Sequence, residues 1–242
     1  MINIYVARHG QDVDNANGIL NGHRNQPLTD LGRHQAREVA KRMLQEGFRL
    51  LSPSRTHPSA SSTTPITCLR TIYSSPLRRA RETAEIFANI LSSECNDESS
   101  DSVNVQLVDS LIERNFGIMT GMPISSIIEM CGKEHVLSTE KIHYFLNPEG
   151  AETFPDLIER AKSLLTFIET ENTKNGDEAL GQHSILLVTH GDFGKMIYAA
   201  YYDLDWEEVL RQFHFGNSEV LLLAKHSPPE KAHVFETSQF NP

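Results

Sequence analysis

Short apolar, β-rich runs alternate along this chain with stretches whose apolar residues return at helical spacing, and that alternation restricts the fold more than any other feature. Residues 2–7 (Ile-Asn-Ile-Tyr-Val-Ala) read as a buried strand. Leu31, Ala36, Val39, Ala40, Met43 and Leu44 then fall at helical spacing. Residues 68–73 read as a second strand. Ser75-Pro76 reads as an N-cap and first-turn proline, opening a helix with Leu77, Ala80, Ala84, Phe87 and Leu91 on one face. Residues 103–108 form a third strand candidate. Leu157, Ile158, Ala161, Leu164, Leu165 and Ile168 make a strong helical stripe. Residues 184–189 form a β-branched run, followed by helix-like Phe193, Met196, Ile197 and Ala200. Residues 219–224 and 233–236 are the last strand candidates, and Trp206 and Phe213 are expected to pack a C-terminal helix. The pattern predicts an α/β protein, a three-layer sandwich in which helices flank a mostly parallel central sheet.

The chain has 242 residues, without an internal repeat or a linker between halves, so a single domain over 1–242 is expected. Polar or Ser/Thr/Pro-rich stretches near 52–67, 92–102 and 172–182 read as surface insertions. The formal net charge of −10 argues against nucleic-acid and anionic-membrane partners, whose phosphates need a basic surface. No apolar run approaches the ~20 residues of a membrane helix. The start has no basic leader region. Cys68, Cys95 and Cys131 are odd in number and far apart, which suits neither a disulfide framework nor a metal knuckle. A cytoplasmic location is therefore expected. The sequence says nothing about oligomeric state.

Two His-Gly pairs, Arg8-His9-Gly10 and Thr189-His190-Gly191, each end an apolar strand. Ligands in parallel α/β sheets sit beyond the carboxyl ends of strands, so both imidazoles are expected at one sheet edge. Either alone is more often a structural histidine; the paired placement points to a site. Arg79, early in the helix after the second strand, carries a fork able to hold two phosphate oxygens. Arg78 and Arg81 read as a solvated helix face.

In order, Ala7-Arg8-His9-Gly10, Asn15, Asn21-Gly22, Pro27-Leu28-Thr29-Asp30-Leu31-Gly32, Ser74 through Ala84, Leu111-Ile112-Glu113-Arg114-Asn115-Phe116-Gly117, Pro148-Glu149-Gly150 and Val188-Thr189-His190-Gly191 resemble the blocks of the histidine phosphatase superfamily, with its phosphoglycerate-mutase-like fold. The resemblance implies a helical cap near 118–147. It implies a nucleophilic His9 that forms a phosphohistidine, splitting one hard step into two. His9 must then be neutral at the attacking nitrogen, with its other nitrogen donating to a backbone carbonyl. Arg8, Arg79 and His190 would clamp the phosphoryl oxygens, since phosphoryl transfer depends on positioning and electrostatic stabilisation. The Asn15 side chain and the backbone at Asn21 and Gly22 would donate further hydrogen bonds, and Gly191 would offer a weak anion site at a helix start. Glu113 would protonate the leaving alkoxide, its pKa raised by burial. The three cations take the place of a metal, so no metal and no cofactor are expected, and the ligand would be a small phosphorylated metabolite.

Two features depart from the family's common pattern: Gln11 stands where a Glu often follows Arg-His-Gly, and Ala151 replaces a frequent Glu. Gly121-Met122-Pro123 lacks the basic residue that mutases often place there, which favours phosphomonoester hydrolysis over a phosphoglycerate mutase. A non-catalytic phospholigand-binding module would need neither His9 nor Glu113. A metallohydrolase would call for His-Glu-x-x-His or close His-x-His spacing, which the eleven histidines do not supply.

Overall fold

A computed structural model of the chain describes residues 2–51, 66–92, 105–140, 142–173 and 184–235. The six-residue run Ser184–Thr189 (β7) is buried throughout, as a central strand covered on both faces must be. It lies between β1 (Asn3–Arg8) and β3 (Thr67–Ser74) and is parallel to both. Both β2 (Phe48–Leu50) and β4 (Val105–Leu107) pair in parallel with β3, on its first and last residues respectively. On the other edge β8 (Val220–Leu223) runs antiparallel to β1. The strand order is thus β2-β3-β7-β1-β8, with β4 beside β3. The sheet is mostly parallel, and the α/β class predicted from the sequence holds.

Side chains alternate across this sheet with the strand period of two. On one face Ile4 and Val6 join Ile185 and Leu187 in a core covered by α5 (Phe154–Thr173), α6 (Gly191–Tyr202) and α7 (Trp206–Gln212). On the other, Tyr5 and Ala7 join Leu186 and Val188 under α2 (Asp30–Gln45) and α3 (Arg78–Leu91). Trp206 stacks on Phe154 at 5.4 Å and Phe213 on Tyr198 at 4.0 Å, so both pack the C-terminal helices. Among the described residues no helix is long and apolar enough to cross a membrane.

Several elements differ from the expected ones. The third helix starts at Arg78, with Leu77 as its N-cap. Ser75 lies too early to cap it, although its Oγ accepts from the Leu77 N–H at 3.3 Å. Leu31 is 51 % exposed: it follows the Thr29 cap, whose hydroxyl accepts from Gly32 N–H, and points away from the sheet. His233 makes a single bridge to Leu221 instead of a strand. The region from Gly117 to 147 is not a helical cap. It combines 3₁₀ turns, the short helix α4 (Ile127–Cys131) and an antiparallel pair, β5 (Val136–Ser138) and β6 (His143–Phe145), around Phe116, Met119, Ile127 and Phe145. Between Val13 and Ala16 a single turn, α1, is closed by a capping box. The insertions expected near 52–67, 92–102 and 172–182 fall mostly outside the described residues, as do Cys95, residues 103–104 and Glu236. Their flanks are structured: Thr67 opens β3, Ser92 ends α3 and Asn172 lies in α5.

Candidate active site

The parallel register sets Arg8 of β1 against Thr189 of β7, so the next residue of each strand leaves the sheet at the same edge. His9 N–H donates to the Thr189 carbonyl at 3.0 Å, and the rings of His9 and His190 meet edge-on with centroids 5.1 Å apart. Both are buried. A Cβ on Gly10 would stand 2.3 Å from the Gly32 carbonyl oxygen, so the loop after His9 can seat against the start of α2 only as glycine.

The tautomer of His9 follows from its partners. Nδ1 lies 2.7 Å from the Gly10 carbonyl oxygen, which can only accept, so Nδ1 carries the proton. Nε2 keeps its lone pair and takes a hydrogen bond from Arg79 Nε at 3.2 Å. His190 Nδ1 shares the same donor at 3.2 Å, and its Nε2 stands 2.7 Å from Ser75 Oγ. Burial, together with the nearby Arg79 and Arg8 charges, holds both imidazoles well below their ordinary pKa. Both are neutral at physiological pH.

Arg79 sits where expected, but its fork does not face the imidazoles. Nη1 donates to the Arg24 carbonyl at 2.7 Å and Nη2 to the Gly22 carbonyl at 2.8 Å. Nε pairs with Asp12 at 3.2 Å as well as serving the histidines. The loop over 21–24 supplies the acceptors that turn the fork away. Arg8 has the more open guanidinium. Its Nη1 donates to the Phe215 carbonyl at 2.7 Å, while its buried Nε has no partner among the described residues. That orphan N–H suits an anionic oxygen. Gly191 permits the approach, since a Cβ there would lie 3.2 Å from Arg8 Cζ.

Glu113 lies at the start of α6. Its carboxylate accepts from the N–H groups of Gly191 (3.0 Å), Asp192 (3.4 Å), Phe193 (3.1 Å) and its neighbour Arg114 (2.8 Å). Gly191 was expected to offer its N–H to a ligand; Glu113 takes it instead, because a helix N-terminus attracts the nearest carboxylate. Burial and the adjacent Asp192 raise the Glu113 pKa, against the opposing N–H bonds and Arg79. The expectation for Asn21 concerns its backbone; its side chain has a role of its own. Its Nδ2 donates to Asp12 at 2.7 Å, so it steadies Asp12, just as the Gly22 carbonyl steadies Arg79. Asn15 Oδ1 accepts from Asp12 N–H and Asn217 Nδ2, which leaves its own Nδ2 for a ligand.

Residues 4–228 match the family model described as histidine phosphatase superfamily (branch 1). The chain belongs to that superfamily. Among curated proteins it is 28 % identical over 195 residues to phosphoglycerate mutase-like protein 4 of Arabidopsis thaliana, covering 81 % of this chain and 69 % of that one. It is 29 % identical over 170 residues to a probable phosphoglycerate mutase of Yersinia pestis, covering 68 % of this chain and 62 % of that one. The chain thus spans less than two thirds of the Yersinia relative. In fold it is similar to a mycobacterial glucosyl-3-phosphoglycerate phosphatase solved with VO3, with a TM-score of 0.68 at 20 % identity over 99 % of both chains.

This histidine phosphatase domain also uses supports that its sequence did not single out. Asp12 pairs with Arg79 while capping α1. Thr83 Oγ1 accepts from Gly10 N–H at 3.1 Å and donates to the Arg79 carbonyl. Asn217 Nδ2 donates to the His9 carbonyl at 3.0 Å. Arg160 reaches from α5 to the carbonyls of Ser110, Ile112 and Glu113, and pairs with Glu152. An Asp-x-x-Asn capping pattern at 12–15 was the one local signal for Asp12. Thr83 lies inside a family-like block but bonds only backbone, which no spacing reveals, and Asn217 bonds the His9 carbonyl and the Asn15 side chain.

Proposed function

We infer that this protein is a phosphomonoester hydrolase working through a phosphohistidine on His9 Nε2. The observation that carries the reading is the locked tautomer: Nδ1–H donates to the Gly10 carbonyl, which leaves the lone pair on Nε2, where it accepts from Arg79 Nε. In the first half-reaction Nε2 attacks phosphorus, the P–O ester bond breaks, and the leaving alkoxide takes a proton from Glu113. In the second, Glu113 accepts a proton from water as its oxygen attacks phosphorus, and the P–N bond breaks to release phosphate. The orphan Nε of Arg8, Arg79 Nε and Asn15 Nδ2 would hold the charge spread over the phosphoryl oxygens, and His190 would join them by taking a proton at Nδ1 as the anion binds. A small phosphorylated metabolite is the substrate class, in line with a chain whose formal net charge is −10.

Incubation with a ³²P-labelled phosphate ester, quenched in alkaline detergent, tests the reading. Acid-labile, base-stable label is expected on the wild type and none on His9→Ala. Undiminished turnover in His9→Ala would falsify it. The names of the curated relatives favour a second reading, transfer between positions of phosphoglycerate. Product analysis with 3-phosphoglycerate and a 2,3-bisphosphoglycerate primer separates the two: hydrolysis gives inorganic phosphate alone, and a mutase gives 2-phosphoglycerate.

A further inference from the structure

The phosphoryl chemistry leaves unused a groove of about 730 Å³ between the β5–β6 pair and the α6–α7 pair. At its inner end stands Lys195, on α6 one turn beyond Gly191 and Asp192. Its side chain is 4 % exposed. The ammonium donates to the Tyr144 hydroxyl and lies 4.9 Å from that ring's centroid. Lys195 forms no ion pair among the described residues. An ammonium has three donors, of which Tyr144 takes one; Asp192, Glu113 and Glu219 favour its charge without pairing with it, so an anionic ligand in the groove would be its first direct counter-ion. Burial lowers the Lys195 pKa to about 8, so the group is still mainly charged at neutral pH.

The groove's other walls are Ile142, Leu210 and Phe213, with Arg211 and Glu140 exposed at the outer rim. A volume of this order holds a ligand well beyond three carbons. Its position ties it to the catalytic edge. His214 lines it, and the next residue, Phe215, accepts from Arg8 Nη1, whose guanidinium packs on Gly191. The inner end of the groove thus borders the guanidinium that would face a bound phosphoryl group.

We propose that the groove is the leaving-group subsite, and that Lys195, held by Tyr144, selects phosphomonoesters whose leaving group ends in a carboxylate beyond an extended, partly apolar body. The proposal rests on the hydrolase reading for its orientation. It assigns Lys195 to specificity and leaves the two half-reactions as they stand.

Two homologous series of esters test it: ω-phosphooxy alkanoic acids of two to eight carbons, and the matching ω-hydroxyalkyl phosphates. For wild type, kcat/KM is expected to favour the acids by tenfold or more within a band of chain lengths, mainly through KM. The readout is the acid-to-alcohol ratio within each variant, so a general loss of activity cancels. Lys195→Met should bring the ratio to about one, Lys195→Arg should keep part of it, and Tyr144→Phe should lower it severalfold. A wild-type ratio near one at every length overturns the proposal, as does a ratio that survives Lys195→Met. If Lys195→Met does not fold, the wild-type series and Tyr144→Phe decide alone. If no ester of either series is hydrolysed, the hydrolase reading has failed. Calorimetric binding of the same pairs to wild type then judges the subsite, and equal affinity for acid and alcohol overturns it.

Discussion

Glu113 is pulled in two directions. Four backbone N–H groups favour its carboxylate, while burial and Asp192 favour its acid form, and the balance is a raised pKa. His9 is shifted the other way, held neutral by burial and two guanidinium groups. These signs set the pH dependence of hydrolysis. Protonation of His9 removes the nucleophile, so the acid limb of kcat/KM lies below the ordinary histidine value. Deprotonation of Glu113 removes the general acid, so activity falls as pH rises through its raised pKa. Glu113→Gln should lower kcat by roughly 10²–10⁴ on alkyl esters and abolish the basic limb. The loss should be smaller on aryl esters, whose leaving oxygen needs no proton. Measured pH profiles of both forms check this, and a basic limb that persists in Glu113→Gln assigns the acid role elsewhere. The residues of the proposed site stood out in the chain because each lies in a short motif: Arg8, His9 and His190 at strand ends, Arg79 in the first turn of α3, and Glu113 in the loop after a 3₁₀ turn. How Arg79 orients was not, since its fork is turned by the carbonyls of Gly22 and Arg24, which any residue could present.

The short turn α1 and the first turn of α3 meet at the Asp12–Arg79 pair, neither side chain exposed. Asp12 also accepts from Asn15 N–H at 2.8 Å as the cap of α1 and from Asn21 at 2.7 Å. Asp12→Ala therefore leaves a buried guanidinium without its counter-charge and α1 without its cap. The expected loss is about 3–5 kcal/mol for the broken pair, plus about 1 kcal/mol for the cap. Asp12→Asn keeps the cap and should lose less. Chemical denaturation of the two variants measures the difference, and equal stability of Asp12→Ala and wild type would show that the pair contributes nothing. Elements whose apolar residues face one core were readable, as α3 shows with Ala80, Ala84, Phe87 and Leu91 all buried. The region after Gly117 was not. Its strands β5 and β6 are three residues each, too short to show a period, and its core is four residues spread over thirty positions. The start of α3 was misplaced because Ser75-Pro76 carries a capping signal that the site uses otherwise: the Ser75 hydroxyl serves His190.

At the scale of the whole molecule, the site is assembled where two cores on opposite faces of one sheet reach the same strand ends, and the assembly carries a pH signature of its own. His9 and His190 are buried neutral, with pKa values well below that of an unfolded histidine. As pH falls below about 6.5, the unfolded chain takes up protons there that the folded chain refuses, so their contribution is full above that value and is lost progressively below it. Glu113 and His233 act in the opposite sense, because their folded pKa values are raised and the folded chain gains protons first as pH falls. Glu219 adds nothing in this range. Burial alone would raise it, but hydrogen bonds from His214, His233 and Gly216 N–H hold it down to about 2, so its contribution is lost only in stronger acid. The raw acid slope therefore mixes signs, and a variant has to isolate the imidazole pair. A His9→Gln, His190→Gln protein should show a shallower fall of Tm, or a rise, between pH 6.5 and 5 relative to wild type, whatever its Tm at pH 7.5. Differential scanning calorimetry across that interval reads the difference directly. Parallel Tm profiles for the two proteins would mean that the imidazoles titrate alike in folded and unfolded chains, and the buried, neutral pair that carries the proposed nucleophile would have to be given up.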